Sequence, residues 1–392
     1  MVPGRQILAG LCACLAVGLA GAETLRVGPG EAIATIAEAS RRARDGDVVE
    51  IVAATYRGDV AVWEQRTLTI RGVLGRPRLV ADGRIAEGKG IWVMRGGDIQ
   101  VDNVAFEGAR GPNLNGSGIR LEAGHLQVRN CLFVDNEMGI LTANQPGMSL
   151  EVEDSEFAYG VLLARPRISH LLYAGRIDRL EVSGSYFHHG RIGHLLKSRA
   201  AASRIRYSRF SDEVGGQASY EMDFPEGGEV LLLGNVVWQG AATENRRLIA
   251  FGAEGLRGDR HELVMVANTL VDDLPGGGEF VAIWAPERVH VVAAHNLLLG
   301  GCVGGPCPDA VFRREEDAGA GWTWLSGEDN LQLHDAAQVA GWIERGLRPG
   351  AGDHVPSRPA ESGPVLLPDQ ELMLPVGTRP AGRREAPGAL GP

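Results

Sequence analysis

Three short windows carry the residue types from which an active site can be built: His170-Leu-Leu-Tyr173-Ala-Gly175, His194-Leu-Leu-Lys197-Ser-Arg199 and Ser219-Tyr-Glu221-Met-Asp223. Tyr173 to Lys197 is 24 residues, and Lys197 to Glu221 is 24 again; His170 to His194 and Arg199 to Asp223 take the same step. A repeat of this length stacks one structural unit on the next, so residues one period apart become neighbours. The spacing predicts one column of Tyr173, Lys197 and Glu221 and a second of Arg199 and Asp223. A lysine base, a tyrosine proton donor and an arginine suit proton abstraction beside a carboxylate. Two carboxylates suit hydrolysis or cation binding.

Lysine is rare in this chain. It occurs at Lys89 and Lys197 only, against 37 arginines. Arginine stays protonated, whereas lysine can lose its proton and act as a base. No acid lies between Glu181 and Asp212, an interval holding His188, His189, Arg191, His194, Lys197, Arg199, Arg204, Arg206 and Arg209. Such a local positive field suits an acidic sugar polymer and is expected to depress the Lys197 pKa. The same arginines can instead form a solvated face paired with Glu221, Asp223 and other acids. Asp212-Glu213 and Glu221-x-Asp223 form the matching acidic set. Strand alternation puts Glu221 and Asp223 on one face together with Lys197 and Arg199. His170 and His194 have the opposite parity, so they face inward unless a bulge realigns them; His188 and His189 are expected in an accessible turn.

The elements that must position these groups are short strands. An alternating motif ending in an aromatic recurs at Ile99–Phe106, Leu126–Phe133, Leu150–Phe157, Leu180–Phe187 and Ile205–Phe210, with weaker copies to about Leu299. Alternation of apolar and polar residues is strand periodicity. A second short strand separates the copies, at Gly118-Ile-Arg-Leu, Gly139-Ile-Leu-Thr and in the three windows. No crossover helix fits between them. The pattern predicts an all-β chain forming a single parallel β-helix over about residues 48–301. Recurrent Asn103, Asn130 and Asn235 are expected at its bends, where asparagine tolerates the left-handed conformation. The amphipathic segment 32–44 is expected to be a short helix capping the solenoid.

The 392 residues are 44% hydrophobic and include 55 glycines, which suits many tight turns. A net charge of −10 argues against a nucleic-acid binder. Residues 1–22 read as a signal peptide: Arg5, an apolar run from Ile7 to Leu19, then Ala20-Gly-Ala22. Export to the periplasm or outside the cell is the expected location, and no other stretch can span a membrane. Cys12 and Cys14 fall in that segment, Cys302 and Cys307 can close a small loop, and Cys131 is expected to be a buried apolar residue. Residues 23–47 form the N-terminal strand and cap, 302–347 a C-terminal cap containing Trp322, Trp324 and Trp342, and 348–392 an extended or disordered Pro/Gly-rich tail. No Cys/His spacing resembles a zinc site.

On these motifs, residues 24–301 resemble the pectate-lyase-like superfamily of right-handed parallel β-helix proteins. Leu-Leu-Lys197-Ser198 followed by Ile205-Arg-Tyr207-x-x-Phe210 looks like the core of the alginate lyase and chondroitinase B family. There the lysine removes the C5 proton of a uronate, which the resemblance implies for Lys197. That family has an arginine acid about one coil later, where this chain has Glu221 and Asp223. It has calcium-binding acids where this chain has Gly190 and Ile192. The His-Leu-x-Lys-Ser-Arg and Ser-Tyr-Glu-x-Asp pattern also looks like a bacterial β-helix group that carries no assigned activity.

The expected function is an exported lyase acting on a uronate-containing polysaccharide by β-elimination. Lys197 is its base, Tyr173 the partner or acid, and Arg199 the carboxylate holder aided by His188 or His194. Substrate-binding residues are His170, His188, His189, Arg191, Asp212 and Glu213. The alternatives are a glycoside hydrolase using Glu221 and Asp223 and a non-catalytic carbohydrate-binding or envelope-assembly solenoid. The expected partner is an acidic polysaccharide, the expected state a monomer. No cofactor is predicted; a divalent cation such as calcium stays open as an alternative that no ligand set supports.

Overall fold

The computed structural model describes residues 21–163, 168–300, 312–314, 330–333, 336–348, 369–373, 376–381 and 389–390. Among these residues three parallel sheets of 11, 10 and 11 strands wrap into one β-solenoid, each complete coil giving one strand to each sheet. We call them A, C and B. One coil shows the order: Met138–Thr142 in sheet C, Ser149–Glu153 in sheet A and Glu156–Ala158 in sheet B. The alternating motif is the sheet A strand, a sharp corner and the sheet B strand. Val128 stacks on Val152 and Val152 on Val182, all without solvent exposure. The terminal aromatics stack inside as Phe106, Phe133, Phe157, Phe187 and Phe210, with successive centroids 4.5–5.0 Å apart.

The corner between sheets A and B divides the work of the asparagines. Asn103 (φ 57°), Asn130 (φ 47°), Asp154 (φ 47°) and Tyr207 (φ 49°) take the left-handed conformation. Asn235 does not belong to that column. It sits one residue later, in a buried ladder in which each side chain accepts the backbone N–H of the preceding coil. The ladder runs through Cys131, Ser155, Ser185, Ser208, Asn235, Asn268, Asn296 and Asn330. The sheets leave those N–H groups unpaired at the corner, and burying them unbonded is costly. Cys131 takes a serine's place there, its thiol pushed up to about 12 by burial.

The N-terminal helix is Ile36–Arg42, shorter than the segment that suggested it. Thr35 accepts the Glu38 N–H as its cap, and Asp59 accepts from Ile36 and Ala37. Ile36 and Ala39 are buried against the first coils. At the other end, helix Ala336–Glu344 places Trp342, with Leu347, over Val236, Val271, Leu297 and Leu299. The described part of the final segment differs from an extended tail. Gln370–Leu372 pairs antiparallel with Thr378–Pro380, Tyr207 donates to Asp369 (2.7 Å), and Ala389 N–H donates to Thr269 (2.9 Å). The outer face of sheet B is apolar at this end, and folding the chain back covers it. The signal segment to residue 20, Cys12, Cys14, Cys302, Cys307, Trp322 and Trp324 lie outside the described residues. No described helix is long and apolar enough to cross a membrane.

Candidate functional site

A β-bulge repeated in successive coils builds the site on sheet C. His170 pairs with His194, Leu172 with Leu196 and Tyr173 with Lys197, so Leu171 and Leu195 are skipped. Both skipped leucines point inward, as do Leu172 and Leu196. Two consecutive inward residues return the histidines to the same outer face as Tyr173 and Lys197. The step between these coils is 24 residues.

The next step is different. Lys197 pairs with Asp223, an interval of 26. The turn between strands Arg209–Ser211 and Met222–Phe224 is longer than its predecessor, and this moves the register. The observed column is therefore Tyr173, Lys197 and Asp223. Glu221 does not stand over Lys197, and Arg199 does not pair with Asp223. Glu221 falls at the bulge, level with Leu195 and Leu248, pointing into the solenoid with no exposed surface. Glu221 and Asp223 thus lie on opposite sides of the sheet, which removes them as a hydrolytic pair. Neither Glu221 oxygen has a hydrogen-bond partner. Burial, with Asp212 and Asp272 nearby, holds its carboxyl well above the usual range. Asp212 is also interior, accepting from Ala218 N–H (2.7 Å), and burial pushes it up to about 7.

On the outer face an ion network joins the coils. Lys197 Nζ lies 2.8 Å from Asp223 Oδ2 and 2.8 Å from Glu254 Oε1. Arg199 donates through Nε to the Tyr173 hydroxyl (2.8 Å), through Nη1 to Glu226 (2.6 Å) and through Nη2 to Glu254 Oε2 (2.5 Å). Arg176 also binds Glu226. Burial alone would lower the Lys197 pKa, but Asp223 and Glu254 outweigh it and hold the value above that of free lysine. The expected depression by neighbouring cations does not occur, because carboxylates from the next two coils reach the ammonium first. Burial pushes the Asp223 carboxyl up, against the pull of Lys197. The short contact and the second carboxylate favour the ionised pair. Three more arginines of the interval are likewise answered: Arg204 and Arg206 pair with Glu181 and Arg209 with Glu213.

The histidines have fixed tautomers. His170 Nδ1 accepts the His194 N–H and His194 Nδ1 accepts the Tyr220 N–H, both at 3.2 Å. Each ring therefore carries its hydrogen on Nε2. Burial, reinforced by Lys197 and Arg199, pulls His170 down to about 3, and burial puts His194 well below its ordinary value. His194 Nε2 faces Asp223 Oδ2 at 3.4 Å. Both are neutral hydrogen-bond donors, not bases. Lys197→Met is expected to cost about 3–5 kcal/mol of stability, because Asp223, with 3% of its side chain exposed, loses its cation. A lowered denaturant midpoint checks this, and an unchanged midpoint would mean that the pair is not coupled to the fold.

Tyr173, Lys197, Arg199 and His170 line an open cleft of about 400 Å³ with Asn115, Arg120, Met138 and Leu141. The other expected binding residues lie elsewhere. His188 contacts Glu156 (3.1 Å) and His189 (2.5 Å) on sheet B, where Tyr186 and Arg209 both bind Glu213. Arg191 is exposed in the turn toward sheet C, bridged to Gln217. Sequence reasoning missed Glu226, Glu254 and Arg176. The two glutamates share a readable signal, each following the phenylalanine that ends a sheet C strand, in Phe224-Pro-Glu226-Gly and Phe251-Gly-Ala-Glu254-Gly. A groove of about 490 Å³ crosses sheet A over Gln100, Gln127 and Glu151. It holds a polar ladder and lacks the convergent cations and tyrosine of the sheet C cleft. Among the described residues no group of three or more His, Cys, Asp or Glu is placed to hold a metal ion.

No family model and no curated protein matches the chain. Among solved structures it is similar to ORF18 of Geobacillus virus E2, with 13% identity and a TM-score of 0.44. The match covers 74% of this chain and 54% of that one, so the chain spans about half the length of the phage protein. What is established at the level of architecture is a parallel β-solenoid with three sheets.

Proposed function

We propose that this chain is an exported polysaccharide lyase that cleaves a uronate-containing polymer by β-elimination on the outer face of sheet C. The observation that carries this reading is the convergence of Lys197, Arg199 and the Tyr173 hydroxyl on the floor of one open cleft. A uronate needs its carboxylate charge neutralised before the proton beside it can leave, and two fixed cations supply that. Lys197, held as an ammonium, serves as one cation and Arg199 as the other. Tyr173, with Arg199 Nε on its oxygen, is the proton-transfer group: its oxygen takes the C5 proton while its hydroxyl proton passes to the leaving O4, as the C4–O4 bond breaks and the C4–C5 double bond forms. The Nε2–H of His170 is a neutral donor for a sugar oxygen. Successive coils extend the cleft along the solenoid, which fits a polymer. The signal-like segment and the resemblance to the alginate lyase and chondroitinase B family support export and substrate class.

Incubating the protein with alginate, polygalacturonate and chondroitin tests the reading. The expected result is ultraviolet absorbance from C4–C5 unsaturated ends. New reducing ends without that absorbance would assign a hydrolase. Its carboxylates would then have to be sought at Asp223 and Glu254, both bound to Lys197. Binding without any product would assign the carbohydrate-binding solenoid. The complete pairing of Lys197, Arg199 and Arg176 specifically favours that second reading, because such a network also staples coils together.

A further inference from the structure

Glu254 makes a contact that a ligand's carboxylate would make. Its two oxygens divide between two cations, Oε1 on Lys197 Nζ at 2.8 Å and Oε2 on Arg199 Nη2 at 2.5 Å. The cations are set into the cleft floor with 8% and 12% of their side chains exposed, while Glu254 is 48% exposed. Both cations keep their places without it. Lys197 is anchored by Asp223 at 2.8 Å, and Arg199 by Glu226 at 2.6 Å and by Tyr173 at 2.8 Å. Arg176, Lys197 and Arg199 balance Asp223, Glu226 and Glu254, so withdrawing Glu254 leaves the cluster with one net positive charge.

We propose that Lys197 Nζ and Arg199 Nη2 form a carboxylate-binding subsite, which Glu254 occupies in the free protein and yields to the carboxylate of an anionic sugar. The inference rests on the uronate reading of the cleft but not on turnover. The exchange needs no lid. The Glu254 N–H is tied to Pro225 O at 2.9 Å and the turn closes from Gly255 N–H to Gly252 O at 2.9 Å, so only the side chain has to rotate. Glu254 is half-exposed, so water competes for its oxygens and it is held less tightly than the buried Asp223. The arrangement also gives specificity, since a neutral sugar cannot replace the charge and leaves Glu254 in place.

The test compares glucuronate and glucose titrated into the full chain, wild type and Glu254→Gln, by ligand-observed NMR. Removing the internal competitor is expected to tighten glucuronate binding about 3- to 30-fold, the range set by two ion pairs to a half-exposed carboxylate no longer competing, and to leave glucose unchanged. Glu254→Ala, which also removes the hydrogen-bonding head, is expected to tighten glucuronate binding in the same direction. Glucuronate binding that is unchanged or weaker in both variants overturns the proposal. So does an equal gain for glucose, or saturable glucuronate binding in none of the three proteins. A wild type that forms no unsaturated product while Glu254→Gln binds glucuronate more tightly would reject the lyase and keep the subsite.

Discussion

Tyr173→Phe is expected to lower unsaturated-product formation by a factor of about 10² to 10⁴, the usual loss when a proton-transfer group is removed. The change deletes one oxygen from the outer face of sheet C, where Tyr173 is part-exposed and contributes nothing to the aromatic stack inside. The fold is therefore expected to persist, and its thermal transition should move little. The hydroxyl accepts from Arg199 Nε at 2.8 Å, and Arg199 remains fixed by Glu226 and Glu254 when it is gone. The loss should thus appear in kcat with KM nearly unchanged, because the cations that hold the sugar stay in place. Turnover within a few-fold of wild type would take the proton transfer away from Tyr173. A rise in KM alone would make the hydroxyl a binding group.

Glu221→Leu is expected to stabilise the protein by about 2 kcal/mol or more at pH 7.5, the scale of relieving an unbonded buried polar group. Leucine already occupies the equivalent positions Leu195 and Leu248 in the adjoining coils, so the substitution continues an apolar column. The pH dependence follows from the direction of the shifts. Glu221 lies well above the ordinary carboxyl value when folded, and Asp212 is pushed up to about 7. The native state prefers these groups protonated, whereas the unfolded chain ionises them near pH 4. Their neutral form is fully tolerated below that pH. Stability then falls as pH rises from about 4 through the raised folded values, that of Asp212 being about 7. Urea unfolding between pH 4 and 8 should show a steeper decline for wild type than for Glu221→Leu. A residual slope in the variant is assigned to Asp212 and Asp272, both of which burial raises. Parallel slopes for the two proteins would mean that Glu221 is not a buried carboxyl at all.

Much of the architecture could be read directly from residue order. Strand alternation, the recurring phenylalanine and the absence of room for helices were enough to specify a parallel solenoid, because each coil repeats the same local requirement. Asn103 and Asn130 were recognisable as bend residues, and the pairing of Tyr173 over Lys197 followed from the 24-residue step. These features depend on local periodicity and on the rule that equivalent residues stack, both of which survive without coordinates.

Three features required the tertiary structure. A longer turn before Met222 changed one step from 24 to 26, which replaced Glu221 by Asp223 above Lys197 and turned Glu221 into the core. A bulge at Leu171 and Leu195 placed the histidines outside, which alternation alone could not decide. Glu226 and Glu254 reached the cations from turns one and two coils further on, and Glu254 together with Asp223 reversed the pKa shift expected for Lys197. Sequence by itself determined which residue types repeat and therefore the solenoid. The tertiary structure decided which face each group occupies and which charges meet, because turn lengths and bulges shift register without disturbing the apolar pattern that closes each coil.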